Sequence, residues 1–530
     1  MSRRFSQIKA DQMFDMLQLV DDWRIQPTSQ VDASVPHRQA EEPLAKLIVV
    51  GRSQYHLAVA GGTDCDPRKW TFASGSKACR TFDLRLSARI CGSFVFGVAV
   101  FGLLFLATNT QPLLAAHVKK ADVAVWKFDF GPGAVADGYK QVTPQSIYSP
   151  ESGFGFEPGS QIACINRVGK DPLRSDFCTS DKPFYFSIAL PEGNYNVAVT
   201  LGDPAGESVT TVKAELRRLM IEKLETKRGK IETRIFTVDV RTPRMADGSE
   251  VKLKDREKTT ELWAWDEKLT LEFNNTRPVV CAIEITRADS APTIYLLGDS
   301  TVADQPREPY NSWGQMLTRF LKPGVAVANH AESGESLRSS LGAKRLDKVL
   351  SLIKPGDYLF IQYGHNDEKE KGEGVGAFTT YASDLKKFVA GARQRGAVPV
   401  LITPVQRRTF DSEGKITNSH GDYPEAVRRV AKELNAPLID LNQMSKLLYE
   451  AWGPEKSAVA FKEGDGTHHN NYGSYELAKC IVEGIKANKL GIAKYLVTEV
   501  PRFDPSRPDP FESFTVPASP LMTDVKPLGN

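Results

Sequence analysis

The sequence predicts an α/β protein: an open parallel β-sheet covered by helices on both sides, preceded by a separate β-sandwich. Three observations predict it. Between residues 123 and 288 the apolar residues recur mostly with period two, the period of a half-buried strand. After Pro292, short apolar runs alternate with amphipathic segments of helical spacing, the pattern of strand–helix units around a buried parallel sheet. The chain has 530 residues, too many for one hydrophobic core.

Composition excludes little else. Hydrophobic residues are 41% and charged residues 25%, ordinary for a soluble protein. A net charge of +3 is too close to balance to select nucleic acid or an anionic membrane as partner.

In chain order, the first element is the uncharged run Ile90–Ala107, flanked by Arg80, Arg85 and Arg89 and followed by small residues up to Ala116. A basic flank, an apolar run and small residues describe a signal peptide over 90–116. The run is also long enough to span a bilayer, so a membrane anchor through residues 90–107 is the rival. On either reading the positive flank stays inside and the C-terminal part is exported. Residues 1–89 have little periodicity, and read as a poorly ordered extension or as sequence upstream of the true start.

The sandwich is expected over 117–288. Phe184, Phe186, Ile188 and Leu190 alternate, a Pro-Glu-Gly-Asn turn follows, and Tyr195, Val197, Val199 and Leu201 alternate again, a hairpin signature. Ile231–Val240, Leu269–Phe273 and Val280–Ile285 continue the strands. Ala214 to Leu224 fits a helix or a strand equally well. Cys164 and Cys178 flank a loop and can pair in an oxidising compartment. Cys281 and Cys480 sit in apolar contexts and read as buried thiols.

The α/β domain is expected over 289–497. Its strands are Thr293–Leu297, Val325–Asn329, Tyr358–Tyr363, Val398–Thr403 and Pro437–Ile439. Helical faces between and after them include Leu346/Val349/Leu350/Ile353, Phe378/Tyr381/Leu385/Phe388/Val389/Ala392 and Ala478/Ile481/Val482/Ile485. Residues 498–530 are rich in proline and are expected to pack as an irregular tail or to hang free.

In an open parallel sheet, reactive groups gather at the C-terminal ends of the strands. The first strand ends in Gly298-Asp-Ser300-Thr, the second leads to Gly334, and the third to Gly364-His-Asn366-Asp. Asp465-Gly-Thr-His468 stands just before the last helix. A serine hydroxyl is a weak nucleophile that needs a base, and a histidine serves when a carboxylate fixes its tautomer. The Ser300 N–H, the Gly334 N–H and the Asn366 amide are donors suited to an oxyanion.

These four blocks, in this order, resemble the SGNH (GDSL-like) hydrolases over about Pro292 to Leu490. Leu-Leu-Gly-Asp-Ser-Thr-Val-Ala-Asp-Gln305, Ser312-Trp-Gly-Gln, Gly364-His-Asn-Asp and Asp465-Gly-Thr-His-His-Asn-Asn-Tyr-Gly473 are similar to rhamnogalacturonan acetylesterase-like proteins. The resemblance implies a three-layer α/β/α, flavodoxin-like hydrolase domain behind a galactose-binding-like sandwich. It also implies a carboxylic ester hydrolase that removes acetyl groups from a pectic polysaccharide, needing no cofactor and no metal. The implied catalytic residues are Ser300, Asp465 and His468, and the implied oxyanion hole is Ser300, Gly334 and Asn366. A lipase or thioesterase of the same fold, or a non-catalytic carbohydrate-binding protein, are the alternatives; polar loops such as Asp304–Glu308 favour a hydrated substrate.

Other residues have plainer readings. His365 shapes a loop, His469 points away from its neighbour His468, His330 is a satisfied neighbour and His420 is solvated. Asp440 caps a helix, Trp313 is core, and Glu335 and Arg338 belong to a solvated loop. Trp126, Trp263 and Trp265 read equally as packed core or as a sugar platform, and the role of the sandwich stays open: if it is an accessory, deleting residues 123–288 leaves activity on small esters.

Overall fold

A computed structural model of the chain describes residues 125–528. The expected export segment and residues 1–89 lie outside the described residues. Among the described residues no helix is long and apolar enough to cross a membrane.

The N-terminal half is a β-sandwich. One sheet runs Glu232–Val240, Gly193–Leu201, Ala282–Arg287, Val125–Phe130 and Lys140–Val142. The other runs Phe154–Phe156, Phe184–Ala189, Lys268–Arg277, Ser208–Ala214 and Arg218–Thr226. Alternating side chains fill the space between them: Phe128, Phe130, Phe184, Phe186, Val197 and Val199 are all buried, because period-two patterning sends every second side chain to the same face. The ambiguous stretch Ala214 to Leu224 is strand on both sides of a tight reversal, where Glu215 and Arg217 have φ of 55° and 66°. Cys164 and Cys178 face each other on paired antiparallel strands and are joined as a disulfide. Cys281 and Cys480 are buried free thiols.

The C-terminal half carries five parallel strands: β1 (Thr293–Gly298), β2 (Ala326–Asn329), β3 (Tyr358–Gln362), β4 (Val398–Ile402) and β5 (Leu438–Ile439), in the order 2-1-3-4-5. That order is the flavodoxin-like one, with a crevice where the winding reverses beside β1. Helices α1 (Trp313–Leu317), α2 (Leu337–Gly342), α3 (Arg345–Leu352), α4 (Ala382–Gln394), α5 (Tyr423–Glu433), α6 (Leu441–Lys456) and α7 (Asn471–Ala487) cover it. Ile294, Leu296 and Phe360 pack against α1, α6 and α7. Tyr295, Leu297 and Ile361 face α2 to α5. Both faces are therefore apolar, which is why β1 and β3 read as unbroken hydrophobic runs. Before α4 the chain makes a π turn, Ala377–Tyr381, which rotates Phe378 out of the expected apolar face. It is 43% exposed and carries the Arg429 guanidinium 4.2 Å above its ring.

The two halves are pinned together by buried polar contacts. Arg217 pairs with Glu308 at 2.5 Å and donates to the Tyr310 carbonyl at 2.8 Å. Arg218 donates to the Val327 carbonyl of β2. Leu219 enters the apolar layer of the hydrolase sheet. Arg345 of α3, wholly buried, bonds Glu257 through both guanidinium nitrogens at 3.0 and 2.6 Å. The proline-rich tail does not hang free. The Ser519 N–H donates to Glu308, and the Glu308 and Thr523 N–H groups join residue 308 to the tail like a short strand pair.

Candidate active site

β1 delivers Ser300 to the sheet edge. Gly298 is required there, because a Cβ would lie 2.6 Å from the Gln362 carbonyl and from Val302. Ser300 is 1% exposed, held from behind by Gln305, whose amide donates to the Ser300 carbonyl at 2.8 Å and to the Ser333 hydroxyl at 3.1 Å. The loop before α7 brings His468 opposite, with Nε2 2.8 Å from Ser300 Oγ. Its Nδ1 lies 2.9 Å from Asp465 Oδ2. The three groups form one hydrogen-bonded line, and the Tyr310 ring stands edge-on to the imidazole at 5.8 Å.

Burial opposes ionisation of Asp465. The hydrogen bond and charge of His468, with the N–H groups of Thr467 and His468, outweigh it and hold the carboxyl well below the usual carboxylate range. An ionised Asp465 fixes the Nδ1–H tautomer and leaves Nε2 to accept a proton.

The loop after β2 carries Gly334, whose φ of +80° suits glycine. Neither its N–H nor that of Ser300 donates to an acceptor among the described residues. Asn366, after β3, gives one amide proton to the Glu335 carbonyl at 2.9 Å, and a primary amide has a second to give. The structure thus joins Ser300, His468 and Asp465 directly, and sets Gly334 between Ser333, which Gln305 ties to Ser300, and Glu335, which Asn366 contacts.

Several neighbours differ from expectation. Glu335 is buried rather than solvated, because Lys254 reaches it from the sandwich half at 2.7 Å; Arg338 is exposed. His420 is also buried, with Nδ1 at Glu368 (2.8 Å) and Nε2 at the Val405 carbonyl (2.8 Å), since its polar loop folds inward. His330 is enclosed by the rings of Trp265 and Tyr295, and its ring nitrogens have no hydrogen-bond partner among the described residues. His469 turns away from the serine to Tyr449 Oη, 2.6 Å off, and burial lowers its pKa to about 3. His365 packs behind Ser300 with Nδ1 3.2 Å from Asp299, and burial lowers its pKa to about 4. Asp440 caps α6 by accepting from the Gln443 N–H. Trp313 is fully buried and donates to Gln362. Among the described residues no cluster of three or more His, Cys, Asp or Glu could hold a metal ion.

Sequence reasoning missed Gln305 as a brace, although it closes the phrase that carries the resemblance. It also missed Arg256 and Lys254. Arg256 Nε donates to Glu332 at 2.7 Å and Lys254 to the Ser333 carbonyl at 2.7 Å, gripping both sides of the Gly334 loop. They lie in the sandwich half, without a sequence signal.

Residues 296–474 match the GDSL-like lipase/acylhydrolase family. Rhamnogalacturonan acetylesterase RhgT of Bacillus subtilis is 41% identical over 220 residues, 39% of this chain and 94% of that one. The chain belongs to this GDSL-like family. The esterase also matches, over residues 126–222, the β-agarase/YXIM esterase-like, galactose-binding-like domain. The uncharacterized esterase YxiM of Bacillus subtilis is 29% identical over 398 residues, 72% of this chain and 94% of that one. A crystal structure of the Bacillus subtilis YXIM protein covers 69% of this chain and 99% of its own, at 27% identity and a TM-score of 0.38. By the GDSL-like match and its RhgT and YxiM relatives, the protein is a carboxylic ester hydrolase.

Proposed function

We propose that the esterase removes acetyl groups from an acetylated polysaccharide, a pectic rhamnogalacturonan, through an acyl-enzyme on Ser300. The observation that carries the chemistry is the hydrogen-bonded line from Ser300 Oγ through His468 to Asp465. The substrate rests on relatives named as rhamnogalacturonan acetylesterases.

Ser300 Oγ attacks the acetyl carbonyl carbon as its proton passes to His468 Nε2, with the imidazolium stabilised by Asp465. The new oxyanion takes the Ser300 N–H, the Gly334 N–H and the second Asn366 amide proton. The C–O bond to the sugar breaks and the sugar oxygen receives the proton from Nε2. Water then attacks the acetyl-serine, giving its proton to Nε2. Acetate leaves, and the proton returns to Ser300 Oγ. Export fits this substrate, which is outside the cell, and the Cys164–Cys178 disulfide, since such bonds persist in oxidising compartments.

Acetate release from a panel of acetylated polysaccharides tests the reading. Wild-type protein should prefer acetylated rhamnogalacturonan, and Ser300→Ala should release none while unfolding at the wild-type temperature. Retained activity in that variant would place the nucleophile elsewhere. Nitrophenyl-ester activity rising beyond butyrate would indicate a lipase instead.

A further inference from the structure

Two adjoining cavities lead from residues that brace Ser300 across to the sandwich half. The first, about 370 Å³, is walled by Gln305, Tyr310 and Ser333 at one end and by Thr260, Pro306 and Arg307 at the other. Gln305 and Ser333 brace Ser300 and Tyr310 abuts His468, so this cavity opens beside the reacting groups. The second, about 230 Å³, shares Thr260, Pro306 and Arg307 with the first and ends on Trp263 and Tyr185 of the sandwich half. The C-terminal tail lines both, through Leu528 in the first and Leu521 in the second.

The chemistry of the far cavity is specific. Trp263 is half-buried and braced by the Tyr185 ring, 5.1 Å away and inclined at 55°. It therefore presents an immobilised indole at the cavity wall, and such a surface takes the C–H face of a pyranose by apolar burial. The cations nearby are mostly spent. Arg217 is matched by Glu308, and Arg256 by Glu332 and Glu261. Two have no ion pair or hydrogen bond among the described residues: Lys526, which lines only the first cavity, and Arg307, which is half-buried and lines both. A guanidinium has a rigid fork of donors that fits a carboxylate in two parallel bonds. Glu215, which also lines this cavity, is wholly buried, and that burial raises its pKa well above the usual range. It also accepts a hydrogen bond from the Thr270 N–H.

We infer that Trp263 and Arg307 form an accessory subsite for a uronic-acid unit of the same glycan chain, the indole taking a sugar face and the guanidinium the sugar carboxylate. The inference rests on the polysaccharide acetylesterase reading, which it deepens by assigning an acidic sugar to a place outside the reacting centre. It also gives the sandwich a direct part in substrate recognition.

Calorimetric titration of the full-length Ser300→Ala protein with an unacetylated oligogalacturonate, and with the same oligomer after carboxyl reduction, tests it. Adding Arg307→Gln should weaken oligogalacturonate binding by about tenfold or more, the worth of one charge-assisted contact. The neutral oligomer should be barely affected. Trp263→Ala should weaken both, and Trp263→Phe should restore most of the affinity, which separates loss of stacking from loss of fold. No oligogalacturonate binding to the Ser300→Ala protein would overturn the subsite, as would an equal effect of Arg307→Gln on both oligomers. Acetate release by the wild type is scored separately. Uronate binding that needs Arg307, in a protein that deacetylates no polysaccharide, would uphold the subsite and remove the activity assigned above; acetate release without any Arg307 dependence of binding would do the reverse.

Discussion

The Ser300 hydroxyl lies 2.8 Å from His468 Nε2, so in the proposed mechanism rate should depend on how well charge on the substrate oxygen is met. Asn366 gives one amide proton to Glu335, and the proposed mechanism uses the other for that oxygen. Asn366→Ala should therefore lower kcat by about 10²–10³, the usual cost of one oxyanion donor, with KM little changed. An equal effect on both constants would make Asn366 a substrate-binding group. The buried histidines give the protein an acid sensitivity of known sign. Burial lowers the pKa of His469 to about 3 and that of His365 to about 4, from 6.5. Between those values and 6.5 the unfolded chain binds more protons than the folded one, so their stabilising share is complete above pH 6.5 and is lost as pH falls toward 4. One such group accounts for about 2 kcal/mol of lost stability between pH 7 and pH 5. Urea unfolding of His469→Gln should show a pH 7 to pH 5 loss smaller than wild type by about that amount. The titratable groups around this imidazole are Tyr449, His468, Asp465 and His365, and an unchanged slope would mean that one of them titrates in its place.

The element that most decides the site is the loop from Ala331 to Ser336. It has little regular structure of its own and is held by neighbours: Gln305 on Ser333, Lys254 on Ser333 and Glu335, and Arg256 on Glu332. Arg256→Ala leaves Glu332, 4% exposed, without its main counter-charge. Removing one partner of such a pair costs about 3 kcal/mol, and the Gly334 N–H loses its fixed direction. The expected result is a lower unfolding temperature together with a fall in kcat of about tenfold or more, largely restored by Arg256→Lys. A stability loss with unchanged kcat would show that Gly334 keeps its place unaided. At this scale the sequence was partly legible. β1, β3, α4 and α7 stood out because burial imposes a periodicity. The strand from Arg218 to Thr226 did not, because its two faces meet different neighbours, the sandwich core and the hydrolase layer, and its pattern is mixed.

Across the whole molecule, the sandwich and the hydrolase sheet share buried charge rather than touching at a dry surface. Arg217, Arg218 and Lys213 of the sandwich, and Arg345 and Lys348 of the hydrolase, are each at most 5% exposed, and their partners lie largely in the other half or in the tail. Deleting the sandwich removes these partners. A chain beginning at residue 289 would expose Glu308, Arg345 and the Leu216 and Leu219 contacts of α1. Such a truncation is expected to yield aggregated protein without activity even on nitrophenyl acetate, measured as soluble yield and turnover. A soluble, fully active fragment would show the sandwich to be an accessory.

The sequence alone determined the order of the two folds, the parallel sheet and the five residues at its edge, because strand periodicity and the chemistry of acyl transfer are both written in local residue types. Contacts distant in the chain were left to the tertiary structure: which histidines are buried, what fixes the Gly334 loop, and how Arg307 comes to stand near Trp263. A charged residue carries no local mark of its partner. Whether it meets water or a carboxylate more than seventy residues away, as Arg256 meets Glu332, depends on how the two halves pack.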